Sequence, residues 1–238
     1  MIATSNCLIV NGARVMLPDE LIAKGGRATN YLDDGEPHLD AWPRKSPLAL
    51  FVLHETVGDT AGGCESSLLH SKSDLGVHLI LDHNGLISNH GDLACEIMRH
   101  AGGANGRSIG IEVVNPYNPV FDAAPFEPTI PARWWTWVPA AKDVERQLKR
   151  KGWTKVPKVY CLPSEAQLIV LKILVPWLCG VLGIPYEFPT IGNGPKRCGL
   201  NGVMAVDPKK VAPGVVAHRD WQHADGRYLL EQLVGVAS

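Results

Sequence analysis

The stretch that decides the fold is Leu48–His54, LALFVLH, followed by Glu55 and Thr56. Six apolar residues in succession suit a strand buried on both faces, not an element with one wet side. Such a strand belongs inside a sheet covered by helices. The run ends on His54, an imidazole at the rim of a rigid scaffold, where active-site groups commonly project. Taken alone, His54 reads first as a core histidine bonded to backbone, and only second as an active-site group.

Working outward, residues 5–17 read as a short hairpin, CLIV and VML around an Asn-Gly turn. Residues 24–47, rich in Gly, Asp and Pro, read as an arm or loop. A helix is expected over 62–72. Val77–Leu81 and Leu86–Ser88 form a second hairpin pattern, again turning at Asn-Gly. Ser108–Val114, SIGIEVV, is a strand preceded by the Gly-rich AGGANGR. Residues 115–163 carry many prolines and tryptophans and read as a long insertion, with a short helix over Lys142–Lys151. Ser164-Glu165-Ala166-Gln167 is a capping box opening an apolar helix, which Pro176 is expected to kink or end. Residues 186–213 read as a loop, and Arg227–Val234 as a closing helix. Strands alternating with helices argue an α/β fold, a single domain with a central mixed sheet flanked by helices.

Bulk properties exclude more than they assign. With 238 residues, 45% apolar, the chain can bury a substantial core. A net charge of −1 gives no basic field for nucleic acid. Six cysteines are scattered without a C-x-x-C pair and read as reduced, packing thiols. The first residues lack the basic and long apolar regions of a signal peptide. The longest apolar stretch, 168–184, is broken by Lys172, Pro176 and two glycines, so no membrane span is expected. Oligomeric state is not legible.

Residues 215–227, VVAHRDWQHADGR, concentrate imidazole and carboxylate after an apolar lead-in. His54 and His218 both end strand-like runs. With one further ligand from Asp220, His223 or Asp225 they make a three-ligand set for Zn²⁺ with a fourth position open to water, the layout of a catalytic site. Composition does not fix the third ligand. Glu112 shares a strand face with Gly110 and Val114, opposite Ile109, Ile111 and Val113. It is either a carboxylate on a wet face or a general base beside a metal.

Two motifs mislead. His218-Arg219-Asp220 imitates a kinase catalytic loop but lacks the asparagine five residues on. Gly106-Arg107-Ser108-Ile109-Gly110 matches G-x-S-x-G, yet a strand, not a helix, follows the serine. Trp134, Trp135, Trp137 and Trp153 read as core or cleft wall, with sugar stacking as the alternative.

Taken in order, LFVLHET, GVHLILDHNG, RHAGGANGRSIGIEVVN and VVAHRDWQHADGR resemble the zinc-dependent type 2 N-acetylmuramoyl-L-alanine amidase family. That family spans phage endolysins, autolysins, recycling amidases and peptidoglycan recognition proteins. The resemblance covers roughly residues 46–117 and 164–235. It implies a zinc cleft at the sheet edge and an amidase-like catalytic domain over 46–238, with an insertion at about 118–160 and an N-terminal hairpin and arm at 1–45. It further implies His54, His218 and Asp225 as zinc ligands, Glu112 as the catalytic glutamate, and His223 as oxyanion support in place of a lysine. The relatively short loop from His218 to Asp225 keeps His223 a rival third ligand. His100, Ala101, Gly102 and Asn105 would line the substrate groove. A tyrosine that many relatives carry before the second-strand histidine is Val77 here.

The implied reaction is zinc-dependent hydrolysis of the amide joining N-acetylmuramic acid to the L-alanine of the stem peptide. The substrate would be peptidoglycan or a muropeptide. The expected setting is a phage endolysin made in the host cytoplasm and acting on the wall after release. A cytoplasmic enzyme recycling anhydromuropeptides and a non-catalytic recognition module are the alternatives.

Overall fold

A computed structural model of the chain describes residues 5–31, 39–56, 58, 60–115, 136–139, 159–189, 209, 211–218 and 226–235. The chain opens with a hairpin, β1 (Cys7–Val10) and β2 (Ala13–Met16), turning at Asn11-Gly12. A short helix α1 (Asp19–Ala23) leads into β3 (Arg27–Asn30). The segment that reads as an arm therefore contains a strand, and β3 is an edge of the main sheet. It is short and polar, RATN, so its pairing with β7 (Leu86–Asn89) is a long-range event that no local pattern announces.

The main sheet has six strands. In spatial order they are β12 (Gly214–Ala217), β5 (Leu50–Glu55), β9 (Ser108–Val113), β6 (Leu79–Leu81), β7 and β3. All neighbours run parallel except the β6–β7 hairpin, so the sheet is mixed. β5 lies inside it, and all six of its residues are buried. Besides the β1–β2 hairpin, two small antiparallel pairs of described strands stand outside it. One joins β4 (Trp42–Pro43) to β8 (Glu96–Ile97); the other joins β10 (Thr136–Pro139) to β11 (Val159–Leu162), within the stretch that reads as insertion. The helix expected over Lys142–Lys151 lies outside the described residues.

One sheet face is mostly apolar. Phe51, Leu53, Ile109, Ile111, Val113, Val215 and Ala217 pack there against helices α3 (Glu165–Leu182) and α4 (Arg227–Val234) and against Leu8, Leu17 and Leu21. The capping box at Ser164 is formed as the sequence predicts. Pro176, however, does not end α3, which runs on to Leu182. Burial of Leu174, Val175, Leu178 and Cys179 around the proline outweighs the one backbone hydrogen bond it removes. By length and composition α3 could cross a bilayer, with a mean hydropathy of 1.7, against the expectation from its interruptions; here one side of it packs in the core.

The other face is divided. Leu50, Val52 and Val216 form one apolar patch with Ala101, Ala104 and Val211. Val77, Ile80 and Val114 form another with Leu39, Cys64 and Met98, the buried inner side of α2 (Ala61–Leu69) supplying Cys64. A row of polar side chains runs between the two patches.

Candidate functional site

That polar row follows from strand register. His54 pairs with Glu112, and Glu112 pairs with Ile80. Ala217 pairs with Leu53, so the next residue, His218, comes level with His54. In parallel strands residues in register project from one face. His218, His54 and Glu112 therefore stand side by side on three adjacent strands, at their C-terminal ends. That is where ligands bind in open α/β sheets.

The side chains meet accordingly. The His54 and His218 rings lie 4.5 Å apart between centroids, tilted by 59°. Both residues are buried. His54 Nδ1 faces Glu112 Oε1 at 3.9 Å, and the Glu112 side chain keeps 17% of its surface exposed. A carboxylate with partial solvent access beside two imidazoles can hold a proton or pass one on.

His100 joins them from the loop before the strand. Its Nδ1 is 3.0 Å from His54 Nε2, and its Nε2 is 3.2 Å from Ser108 Oγ. The ring rests on Gly110, where a Cβ would come within 2.5 Å of Nδ1. Burial first, then the neighbouring His54, His78, His218 and Arg44, pulls the His100 imidazole well below its ordinary pKa, so it stays neutral.

Under this layer lies a second set of polar groups. His78 is fully buried. Gly110 N–H donates to its Nδ1 at 3.3 Å, and its Nε2 is 3.2 Å from the Glu96 carbonyl. Burial lowers its pKa from 6.5 to about 3. The Arg44 guanidinium donates to the carbonyls of Gly106, Glu96 and Ser108, tying three segments together beneath the histidines. Its burial lowers its pKa to about 10. Burial, and then Glu112 and Glu65, push the Cys64 thiol well above its ordinary pKa.

Of the residues expected to line a groove, His100 is part-exposed, Gly102 exposed and Asn105 half-buried. Asn105 Oδ1 accepts from the N–H groups of His100 and Ala101, at 3.1 and 2.6 Å, so its carbonyl oxygen shapes the loop. Ala101 is fully buried and serves as packing. His223 and Asp225 lie outside the described residues, as does Asp220. Among the described residues no group of three His, Cys, Asp or Glu side chains could hold a metal ion. The His54–His218 pair fits two-thirds of such a set by donor chemistry, with two imidazoles on adjacent strand ends.

Glu55 is the functional neighbour that sequence reasoning missed. It is buried, on the face opposite His54. Its Oε2 accepts from Gly226 N–H at 2.8 Å and its Oε1 from Asn115 Nδ2 at 3.2 Å. Gly226 has φ +81°, and a Cβ there would strike the Leu53 carbonyl, so only glycine can dock against β5 at this point. Both flanks of 219–225, His218 and Gly226, are thus held at the end of β5 where His54 sits. The one sign the sequence carries is a carboxylate directly after the strand-end histidine.

The family model for N-acetylmuramoyl-L-alanine amidases matches residues 44–227. Among solved structures, the N-acetylmuramoyl-L-alanine amidase LysC from Clostridium intestinale URNW is similar at 12% identity and TM-score 0.50, over 88% of this chain and 96% of that one. The endolysin amidase LysCS from the same organism gives the same identity and TM-score, over 88% and 94%. Drosophila PGRP-LB is 15% identical at TM-score 0.43, over 87% and 92%. For the two Clostridium amidases, at 12% identity, the likeness is one of fold. No curated protein sequence matches.

Proposed function

Because the chain belongs to the N-acetylmuramoyl-L-alanine amidase family and is an enzyme of that class, we propose that it cuts the amide between N-acetylmuramic acid and the L-alanine of the stem peptide. The substrate is peptidoglycan or a muropeptide. The observation that carries this is the register row of His218, His54 and Glu112 at the C-terminal ends of three adjacent strands. His54, His218 and Asp225 would hold Zn²⁺. When bound, zinc supplies Lewis acidity toward a carbonyl and lowers the pKa of water. Glu112 takes a proton from the attacking water and returns it to the leaving amine. His223 donates to the oxyanion as the tetrahedral carbon forms.

The lytic setting draws on the endolysin LysCS, which shares the fold. In that setting the enzyme is made in the bacterial host's cytoplasm and meets the wall after release. The recycling alternative is separated by substrate: a lytic enzyme cuts intact sacculi, whereas a recycling enzyme prefers soluble anhydromuropeptides. Val77 favours the recognition-module reading, because the family tyrosine is replaced there by a fully buried aliphatic side chain. Glu112 beside His54 opposes it. The test is to incubate purified protein with cell walls, follow new L-alanine amino termini, and measure bound metal by mass spectrometry. Cleavage with about one zinc per chain is expected. Zinc bound and walls bound, with no new amino termini, would overturn the hydrolase in favour of the module.

A further inference from the structure

The alternate residues of β9 share one face, and each meets the histidine layer differently. Ser108 Oγ lies 3.2 Å from His100 Nε2. Gly110 gives the His100 ring its space. Glu112 faces His54. The pattern S-x-G-x-E thus places three functions two residues apart.

The direction of the hydrogen bonds can be worked out from the far end. Ser108 Oγ is 3.0 Å from the Ala104 carbonyl, an acceptor only, so the hydroxyl proton goes there. Ser108 Oγ must then accept from His100 Nε2–H. A neutral His100 with its proton on Nε2 has its lone pair on Nδ1, which accepts from His54 Nε2–H. His54 so protonated carries its lone pair on Nδ1. That nitrogen is the one toward Glu112.

We infer that Ser108 and His100 form a hydrogen-bond relay that fixes the tautomer of His54 and presents its Nδ1 as the metal donor. His100 is therefore a positioning residue, acting through His54. An outer partner of this kind orients a ligating histidine and raises its basicity; its loss typically costs about 10- to 100-fold in metal affinity. Gly110 belongs to the same device, because any side chain there displaces the His100 ring. The metal part rests on the zinc reading above, while the tautomers stand without it.

Imidazole ¹⁵N resonances, recorded on zinc-free and zinc-loaded protein, test both parts separately. The expected result is a neutral His100 protonated at Nε2 in both states, with zinc moving the Nδ1 resonance of His54 while its Nε2 stays protonated. Chelator competition should show zinc affinity falling about 10- to 100-fold in His100→Ala and recovering in His100→Gln, whose amide offers one acceptor and one donor. Should His100→Ala fail to fold, Ser108→Ala replaces it; with no acceptor for Nε2–H, its His100 tautomer should shift. A proton on His100 Nδ1, zinc on His54 Nε2, or unchanged zinc affinity in a folded His100→Ala would overturn the relay. Wild-type protein that takes up no zinc overturns the metal reading instead, and the zinc-free tautomers then decide the relay alone.

Discussion

His54 and His78 project from the same sheet face, with His54 in the row of Ile80 and His78 two residues before that row. Both are buried imidazoles. His78 gives both ring nitrogens to backbone groups, Gly110 N–H and the Glu96 carbonyl, with the Arg44 guanidinium also 3.4 Å from Nε2. His54 gives one nitrogen to His100 and turns the other toward a carboxylate, beside a second imidazole. The first arrangement closes a hydrogen-bond account inside the fold. The second aims chemistry out of it. Residue type and burial do not separate the two uses; the identity of the partners does.

The largest test of that contrast is Glu112→Gln. Removing the proton acceptor beside His54 should cut kcat by about 10²- to 10⁴-fold while zinc content and melting temperature stay near wild type. A variant that keeps full activity would return Glu112 to the role of a carboxylate on a wet face.

The next test turns to His78. Its pKa falls from 6.5 in the unfolded chain to about 3 in the fold. Between those values the unfolded state binds a proton at this position and the folded state does not. Stability is therefore fully present above 6.5 and lost as pH falls toward 3, at about 1.4 kcal/mol per unit. His78→Asn keeps an acceptor for Gly110 N–H, gives up the donor that reaches the Glu96 carbonyl, and removes the titration. Urea midpoints measured against pH should fall less steeply in the variant. An acid slope equal to wild type would show that His78 does not set it.

What the sequence shows of this contrast depends on range. LFVLHE, SIGIEV and the capping box are legible because each is fixed by neighbours a few residues away. The hairpins at Asn11-Gly12 and around Gly85 are legible for the same reason. The place of β3 at the sheet edge is not, because RATN acquires its partner 59 residues on. The position of His54 and Glu112 at the site follows from strand alternation plus order along the chain. The contact of His100 with His54 spans 46 residues and depends on the absence of a side chain at Gly110. No periodicity carries that information. Glu55 is hidden differently: next to His54 it reads as a polar strand end, and only the docking of Gly226, 171 residues later, shows why it is buried.

Glu55 sharpens the comparison by standing between the two uses, structural in its bonds but adjacent to the site. Glu55→Ala removes the acceptor of Gly226 N–H and of the Asn115 amide. A cost of about 1–3 kcal/mol is expected. If Gly226 positions the segment that ends at Asp225, zinc affinity should fall as well, and Glu55→Gln should recover part of both. A loss of stability with zinc affinity intact would make Glu55 as purely structural as His78.

The smallest effect supplies the baseline against which the others are read. Ser164 Oγ accepts from Gln167 N–H, and the Gln167 amide in turn donates to the carbonyls of Leu81 and Val114. This cap anchors α3 to β6 and the end of β9 without touching the histidine layer. Ser164→Ala should cost about 0.5–2 kcal/mol. Its kcat, zinc affinity and acid slope should all stay at wild-type values, since none of its bonds reaches His54, His78 or Glu112. A change in kcat at full occupancy of the folded state would mean that strain at the start of α3 passes through the sheet to the site. Partner identity alone would then no longer separate structural groups from chemical ones.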